Sequence, residues 1–328
     1  MIAVLRGRNL LARLLLWRDF TPFTRVHFLA AAAESGVLRA LREPLTAAEL
    51  AEKVDVRRPE LLEALLAVGV ALGELATEGQ RYSLRGPRAR LIASGKGDAF
   101  AALVEEWMHY DADVFRELEP RLRGAALGDY LAPTATIVAR SSRVLEPFVS
   151  TYLRALVARR RPRRVLDVGC GSGVYLKHAA EASPDVTGVG IDLDRQVVDL
   201  ARKNVSAWGI ADRFEIVAGD ARRETPSGPF DLITLFNNIY YFAPEERVTF
   251  FRRLAASIAP GGALAVVTAT AGPTVAIRAF DLVLQSTEGC WALPSRDALV
   301  AQLRDSGFGG VRRDEIAAGQ SLDAFLAT

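Results

Sequence analysis

The 328-residue chain has little sulfur and little imidazole, with two cysteines (Cys170 and Cys290), three histidines and four lysines. Two thiols cannot build a disulfide framework, so buried apolar surface must hold the fold, and a reducing cytoplasm is the expected setting. No sign of charge dominates either, since 41 Lys and Arg stand against 39 Asp and Glu for a formal net charge of +2. That balance supplies no broad positive field for a phosphate backbone, which excludes nucleic acid as a default partner. No run of about 18 apolar residues occurs, so no membrane-spanning helix is expected. Near the start, Arg6, Arg8 and Arg13 interrupt the apolar stretch while Leu10, Leu11, Leu14 and Leu15 recur at helical spacing. This reads as an amphipathic helix packed on its own chain or on a second subunit, rather than as a targeting peptide.

What the chain does have is length and apolar content. With 50% hydrophobic and 24% charged residues it is globular, and its length calls for two domains. Between Thr21 and about Ala93 the pattern is short helices and then a hairpin. One helix is expected from Val26 to Leu41 with Gly36 as an irregularity. A second starts at Thr46, with Glu49 three residues on in the capping-box arrangement. A third runs from Pro59 to about Leu72 with Leu61, Leu62, Leu65, Leu66 and Val70 as its stripe, and the hairpin turns around Gly79. Three helices and a hairpin describe a winged helix. A DNA reader would present base-binding side chains along the third helix, but this one offers Arg57, Arg58, Glu60 and Glu63 near its start and then LLAVGVALG, which fits dimerisation or pocket capping better.

Helical segments then continue to about Ala158. One is expected to run unbroken through AALVEEWMHYDADVFRELEPRLRG to Gly124, and another ends at Pro162. The arginines Arg159 to Arg161, Arg163 and Arg164 read as a solvated basic helix end. Beyond Pro162 continuous apolar strands alternate with amphipathic helices, the grammar of a mostly parallel sheet covered on both faces. The expected division is therefore a helical domain at 1–160 and a sheet domain at 161–328.

The sheet half carries the chemistry. Val165-Leu166-Asp167-Val168-Gly169-Cys170-Gly171-Ser172-Gly173 is a strand entering a glycine-rich turn, where free N–H groups can meet a negatively charged ligand group. Asp192 ends the next strand, where a carboxylate can accept both ribose hydroxyls. The spacing G-x-G-x-G lacks the third glycine of the dinucleotide pattern. Asp167 is an acid inside a strand, a place that suits it only if it meets a cation or ordered water. Gly219-Asp220 ends the third strand, where a carboxylate can accept from an exocyclic amine.

From about Arg164 onward the sequence resembles the class I S-adenosylmethionine-dependent methyltransferases. The likeness is carried by VLDVGCGSG at 165–173, GVGIDLD at 188–194, AGD at 218–220, FDLITLFNNIYYF at 230–242 and LAASIAPGGALAVV at 254–267. The front half further resembles small-molecule O-methyltransferases that dimerise through a winged-helix domain. The resemblance implies an α/β fold, a Rossmann-like seven-stranded sheet behind a helical winged-helix domain, in a cytoplasmic homodimer. It implies S-adenosylmethionine as cofactor, no metal, and a small-molecule methyl acceptor, with O-methylation favoured. Asp167, Gly169, Cys170, Gly171 and Gly173 would surround the methionine part, Asp192 and Leu193 the ribose and adenine, and Gly219, Asp220 and Ala221 the adenine edge. Phe236 and Asn237 would complete the cofactor site.

In those O-methyltransferases a histidine after the fourth strand is the base, and here LFNNIYYFAPEE puts Tyr240 and Tyr241 at or beside that position. A tyrosine, with a reference pKa of about 10, orients by hydrogen bonding but is a poor base near neutral pH. His109, with Trp107 and Tyr110 on the helix that lines the acceptor pocket in the family, is the remaining candidate for proton work. His27 is expected in the core or an interface and His178 in solvent. Arg140, Ser142, Phe280 and Trp291 complete the expected acceptor pocket. The missing histidine keeps open S-methylation of a thiol or thioether, which needs no base. A regulator that senses S-adenosylmethionine and binds DNA is the alternative from another class.

Overall fold

The computed structural model describes residues 9–328, so Arg6 and Arg8 lie outside the described residues. The chain forms two compact units, one running up to Asp113 and including Arg140–Val144, the other comprising Val114–Ala139 and Leu145–Thr328.

In the first unit a single helix runs Leu10–Glu34. The two helices expected on either side of Thr21 are therefore one, with Pro22 inside it. Proline lacks the N–H that would meet the carbonyl of Arg18, a loss that water can make good because this part of the helix is exposed. Phe28, Leu29, Ala30 and Ala32 are buried, whereas Leu11, Leu14, Leu16, Trp17, Phe20 and Phe23 are each more than half exposed. Gly36, at φ 77°, breaks the helix where the irregularity was expected. Thr46 caps Ala47–Lys53 with a complete capping box: its hydroxyl accepts from Glu49 N, and the Glu49 carboxylate accepts from Thr46 N at 2.8 Å. Helix Pro59–Ala71 turns Leu62 and Leu66 inward but leaves Leu61 exposed, which narrows the expected stripe. Strands β2 (Leu75–Glu78) and β3 (Arg81–Leu84) form the hairpin, and β1 (Leu45–Thr46) pairs antiparallel with β3.

The helix expected to reach Gly124 is broken instead. It runs Asp98–Glu106, widens to a π-helical turn over Trp107–Asp111, resumes over Ala112–Arg116 and restarts at Leu118–Leu122. Pro120 explains the second break, because its ring would strike the carbonyl of Arg116 in a continuous helix.

The second unit is built on seven strands: β4 (Arg164–Val168), β5 (Thr187–Asp192), β6 (Phe214–Ala218), β7 (Phe230–Phe236), β8 (Ile258–Ala269), β9 (Val311–Ala317) and β10 (Leu322–Ala327). Their order is β6-β5-β4-β7-β8-β10-β9, with β10 antiparallel to both β8 and β9 and the other pairings parallel. One face packs Val165, Ile216, Leu232 and Ala265 against Val149, Leu153, Leu176 and Val198. The other packs Leu166, Ile233, Leu264 and Phe325 against Phe250, Phe251, Leu299 and Leu303. Burial on both faces is why the strands read as continuous apolar runs. Asp194 caps Arg195–Ala207 through Gln196 N (2.7 Å), and Ser295 caps Arg296–Asp305. From β4 the chain steps outward to β5 and β6, then returns to β7 on the other side. The crevice at the carboxyl ends of β4 and β7 is thus the topological switch point where such sheets hold ligands.

Candidate active site

β4 leaves the sheet at Val168 and enters the turn through Gly169 (φ 66°), Gly171 (φ 54°) and Gly173 (φ 77°), after which helix Val174–Ala182 begins. At Gly169 the left-handed backbone and a close approach coincide: an added Cβ would stand 2.3 Å from Asn238 Nδ2. A Cβ at Gly171 would meet nothing within 4 Å, so the turn presents bare backbone to open space there. Asp192, at the end of β5, fixes this shape. Its Oδ2 accepts from Gly171 N at 2.9 Å and its Oδ1 from Asp194 N at 3.2 Å. Burial raises its pKa against those backbone bonds.

Asp167 points inward from β4 and is 1% exposed. Its Oδ1 accepts from Thr234 Oγ1 on β7 at 2.7 Å, while its Oδ2 has no hydrogen-bond partner. Burial pushes the carboxyl up to about 7, the charge of Asp192 adds to the rise, and the Thr234 bond opposes it. Asn238, just past β7, presents the same combination. Its Nδ2 donates to Val168 O at 2.6 Å, and its buried Oδ1 is unpartnered. Asn237, beside it, is held at φ 55° by the bond from its N–H to Val267 O (2.7 Å) and hydrogen-bonds the Tyr175 hydroxyl through its side chain. Phe236 is buried edge-on to Tyr175 at 5.2 Å.

Asp220 contrasts with these groups because Arg222 occupies both of its oxygens, at 2.9 Å and 3.0 Å. That pairing holds its carboxyl below the usual range. Gly219 N donates to Asp192 O at 2.9 Å and Ala221 is buried, while Leu193 is 62% exposed. Cys170 is buried and its thiol pushed well up by desolvation, which leaves it inert as a nucleophile.

Beyond Asn238 the chain makes a 3-10 turn, Ile239–Tyr241. Tyr240 is 8% exposed and meets Tyr241 edge-on at 4.8 Å and Phe280 at 5.4 Å. Trp291 N donates to Tyr240 O at 2.9 Å, and Ile277, Leu284, Cys290 and Leu293 pack around the ring. Behind this turn Arg247, 2% exposed, donates from Nε to Phe242 O at 3.0 Å, and burial lowers its pKa to about 10.

Within the first unit, Trp107, His109 and Tyr110 share the π-helical turn: Tyr110 is buried, Trp107 is 42% exposed, and His109 Nε2 sits 2.9 Å from Glu34 Oε1. Asp111, which the sequence did not single out, has its carboxyl pushed up to about 7 by burial and by the charge of Glu106. Arg140 is held by Asp98 (2.8 Å) and Glu105 (3.0 Å), and Ser142 is exposed. His27 is exposed in the single chain, lying over Phe23 at 4.0 Å, which excludes the core and is the exposure an interface residue has without its partner. The expectation for His178 is corrected. His178 is buried, with Nε2 2.9 Å from Glu146 and Nδ1 2.8 Å from Arg154, because its helix packs against Glu146–Arg160.

The sequence thus pointed to Asp167, Asp192, Phe236, Asn237, Tyr240, Tyr241, Phe280 and Trp291, all of which belong to the second unit. It missed Thr234, Asn238 and Arg247, of which only Asn238 left a signal, as the second asparagine of LFNN. Two clefts of about 390 and 350 Å³ open at the amino ends of the strands, lined in part by Arg159–Arg161 and by Arg164 and Arg213 respectively. Neither includes a residue of the glycine turn or an unpartnered buried group, so the site is assigned by chemistry rather than by cleft size.

Residues 165–262 match the family model described as methyltransferase domain. A curated relative, a cypemycin N-terminal methyltransferase from a Streptomyces species, is 38% identical over 117 residues, 34% of this chain and 45% of that protein. The chain spans under half the length of the first curated relatives it matches. Among solved structures, an O-methyltransferase family protein from Burkholderia thailandensis superposes with a TM-score of 0.79 at 22% identity, over 97% of both chains. A mitomycin 7-O-methyltransferase does so with a TM-score of 0.80 at 20% identity, over 96% of this chain and 97% of that one. The fold is therefore the Rossmann-like methyltransferase fold with a helical amino-terminal portion.

Proposed function

We propose that the chain transfers a methyl group from S-adenosylmethionine to a small-molecule acceptor, with oxygen as the favoured acceptor atom. The observation that carries this reading is Asp167, a fully buried carboxylate with one oxygen left without a donor. Such a group is costly unless a ligand cation or N–H completes it. The rest of the turn suits the same ligand: Asp192 is placed for a ribose diol, and Gly171 leaves bare backbone beside it. Asp220 can add an acceptor to an adenine amine with the lone pairs Arg222 leaves. When bound, S-adenosylmethionine supplies a sulfonium methyl already activated for attack.

The chain's own task is then to bind, orient and exclude water. Tyr240, Tyr241 and Phe280 form the aromatic wall, and the Tyr240 hydroxyl can orient an acceptor atom by hydrogen bonding. His178 is engaged by Glu146 and Arg154, and no histidine follows β7. With His109 set against Glu34 in the first unit, an acceptor methylated without a protein base must arrive with a weakly held proton, as a phenol or enol does. The same aromatic wall favours a second reading, S-methylation, because ring faces can shelter a sulfonium product. The DNA-binding regulator is not carried forward, since helix Pro59–Ala71 has polar side chains only at its start, Glu60 and Glu63, and is apolar from Ala64 onward.

The apolar side chains exposed between Leu11 and Phe23 support a homodimer built through that helix, and the two buried free cysteines suit a reducing cytoplasm. Calorimetry with S-adenosylhomocysteine is expected to find one site per chain, weakened more than a hundredfold in Asp192→Ala. Unchanged affinity in that variant would sink the reading. Transfer of labelled methyl to matched phenols and thiols then separates the O- and S-acceptors.

A further inference from the structure

At the amino ends of the strands the second unit gathers arginines that it does not pair. Arg159, Arg160, Arg161 and Arg163 line the cleft of about 390 Å³, together with Asp231 and the turn Pro260-Gly261-Gly262. Elsewhere guanidiniums of this chain meet carboxylates, as Arg140 meets Asp98, Arg222 meets Asp220, and Arg296 and Arg313 meet Asp323. Among the described residues none of the four at the cleft has an ion pair. The one carboxylate there is already engaged, since Asp231 Oδ2 accepts from Arg163 N at 2.8 Å and from Arg164 N at 2.9 Å. Four guanidiniums thus stand against one carboxylate, a local excess that the near-neutral total of the chain conceals.

The backbone holds this cluster together. Helix Glu146–Arg160 ends at Arg161 in the left-handed region, φ 49°, a conformation unfavourable by about 1 kcal/mol for a residue with a side chain. The turn buries Pro162 and leaves Arg161 and Arg163 exposed on either side of it. Arg160 Nη2 donates to Gly261 O at 2.6 Å and so ties the helix end to the start of β8. A guanidinium fork matches the oxygens of phosphate and carboxylate groups, and like charges held around one small cleft repel until an anion enters. The volume lies in the range of small-molecule sites. We propose that this cleft binds a compact polyanion, a small molecule whose neighbouring phosphate or carboxylate groups enter among Arg159, Arg160, Arg161 and Arg163. The five residues of β4, about 16 Å of strand, separate this end of the sheet from the glycine turn, so the anion and the cofactor can be bound together.

The test is calorimetry with tripolyphosphate and with citrate in about 150 mM salt, where charges not in direct contact are largely screened. One site per chain is expected for at least one of the two, and the tighter ligand names the class of anion. The double variant Arg159→Ala/Arg163→Ala keeps the backbone bonds to Asp231 and the tie from Arg160. It is expected to weaken that binding more than about tenfold, the loss of hydrogen bonds to a charged group. Arg213→Ala, in the neighbouring cleft, should leave it unchanged. An unchanged melting temperature without ligand reports that the double variant is folded, whatever becomes of the cofactor reading. Should it melt lower, Arg159→Gln/Arg163→Gln is read by the same criterion. No saturable binding of either anion overturns the proposal, as does equal affinity in the double variant or displacement of the anion by S-adenosylhomocysteine. So does an RNA oligonucleotide that binds tighter than tripolyphosphate and weakens in Arg213→Ala too, because the arginines would then form one stretch of a nucleic-acid surface.

Discussion

Two aspartates of the second unit, Asp167 on β4 and Asp323 on β10, are almost equally buried, at 1% and 0% exposure. Their surroundings differ completely. Asp323 receives Arg313 at 2.6 Å on one oxygen, and Thr270 Oγ1 at 2.6 Å and Arg296 at 2.8 Å on the other. Asp167 receives Thr234 on one oxygen and nothing on the other. Burial of a charge therefore does not mark a site. What marks it is a buried charge that its own protein leaves incomplete, because such a group lowers the stability of the empty protein and recovers that loss on binding.

The comparison breaks if Asp323 is dispensable. Asp323→Ala strips a bonded carboxylate from two guanidiniums and a buried hydroxyl. The guanidiniums are each 37% exposed and can recover water, so the loss is expected near the lower end for a broken buried pair, roughly 2–4 kcal/mol. Denaturant titration of the empty protein would measure it, and a loss under 1 kcal/mol would show that the saturated network is not structural. Binding of S-adenosylhomocysteine to the folded fraction should be unchanged.

Asp167→Asn should behave in the opposite sense. The folded carboxyl sits at about 7 against a reference of 3.8, so the folded protein holds its proton more tightly than the unfolded chain does. The contribution of Asp167 to stability is then complete below about pH 4 and lost as pH rises through about 7. The variant, with no proton to lose, should melt higher than the unmodified protein, by a margin that grows between those values and then levels off. S-adenosylhomocysteine should bind it more weakly above about pH 7, with the difference shrinking as pH falls and the unmodified carboxyl takes up its proton. In the unmodified protein affinity should fall as pH drops below 7, because a proton then occupies the acceptor. Equal melting temperatures at pH 4 and pH 8 would remove the distinction between the two aspartates.

The same contrast explains what could be read from the sequence. The sheet was legible because its strands are buried on both faces, so VLDVG and FDLITLF are apolar without interruption, and because Thr46, Asp194 and Ser295 cap helices through bonds to residues two or three positions away. Asp167 and Asp192 were legible because an acid in or at the end of such a strand is an anomaly that local sequence exposes. The join of two expected helices across Pro22 was not, since it depends on water replacing one hydrogen bond. The burial of His178 was not, since Glu146 and Arg154 lie more than twenty residues away. Asn238 showed only as the second asparagine of LFNN, and its orientation was illegible for the same reason: the bond that fixes it reaches 70 residues back to Val168. A sequence shows which residues are polar, whereas which polar atoms lack partners is decided by tertiary contacts.

The smallest predicted effect concerns proton transfer. If Tyr240 orients the acceptor and removes no proton, Tyr240→Phe should reduce kcat about tenfold, the worth of one hydrogen bond, while leaving the affinity for S-adenosylhomocysteine unchanged. The pH profile sharpens this. Without a protein base, kcat/KM should climb with pH toward the acceptor's own pKa in both proteins, once cofactor is saturating and Asp167 no longer limits binding. Loss of turnover in His109→Ala at every pH, with cofactor affinity kept, would instead identify an imidazole base and overturn the orienting role. Abolished turnover in Tyr240→Phe with a lost high-pH limb would point to the tyrosine itself as the base. Because Tyr240 is enclosed by Tyr241, Phe280 and the Trp291 backbone bond, removing its hydroxyl leaves the wall standing. A change in turnover without a change in melting temperature is then assignable to that one oxygen.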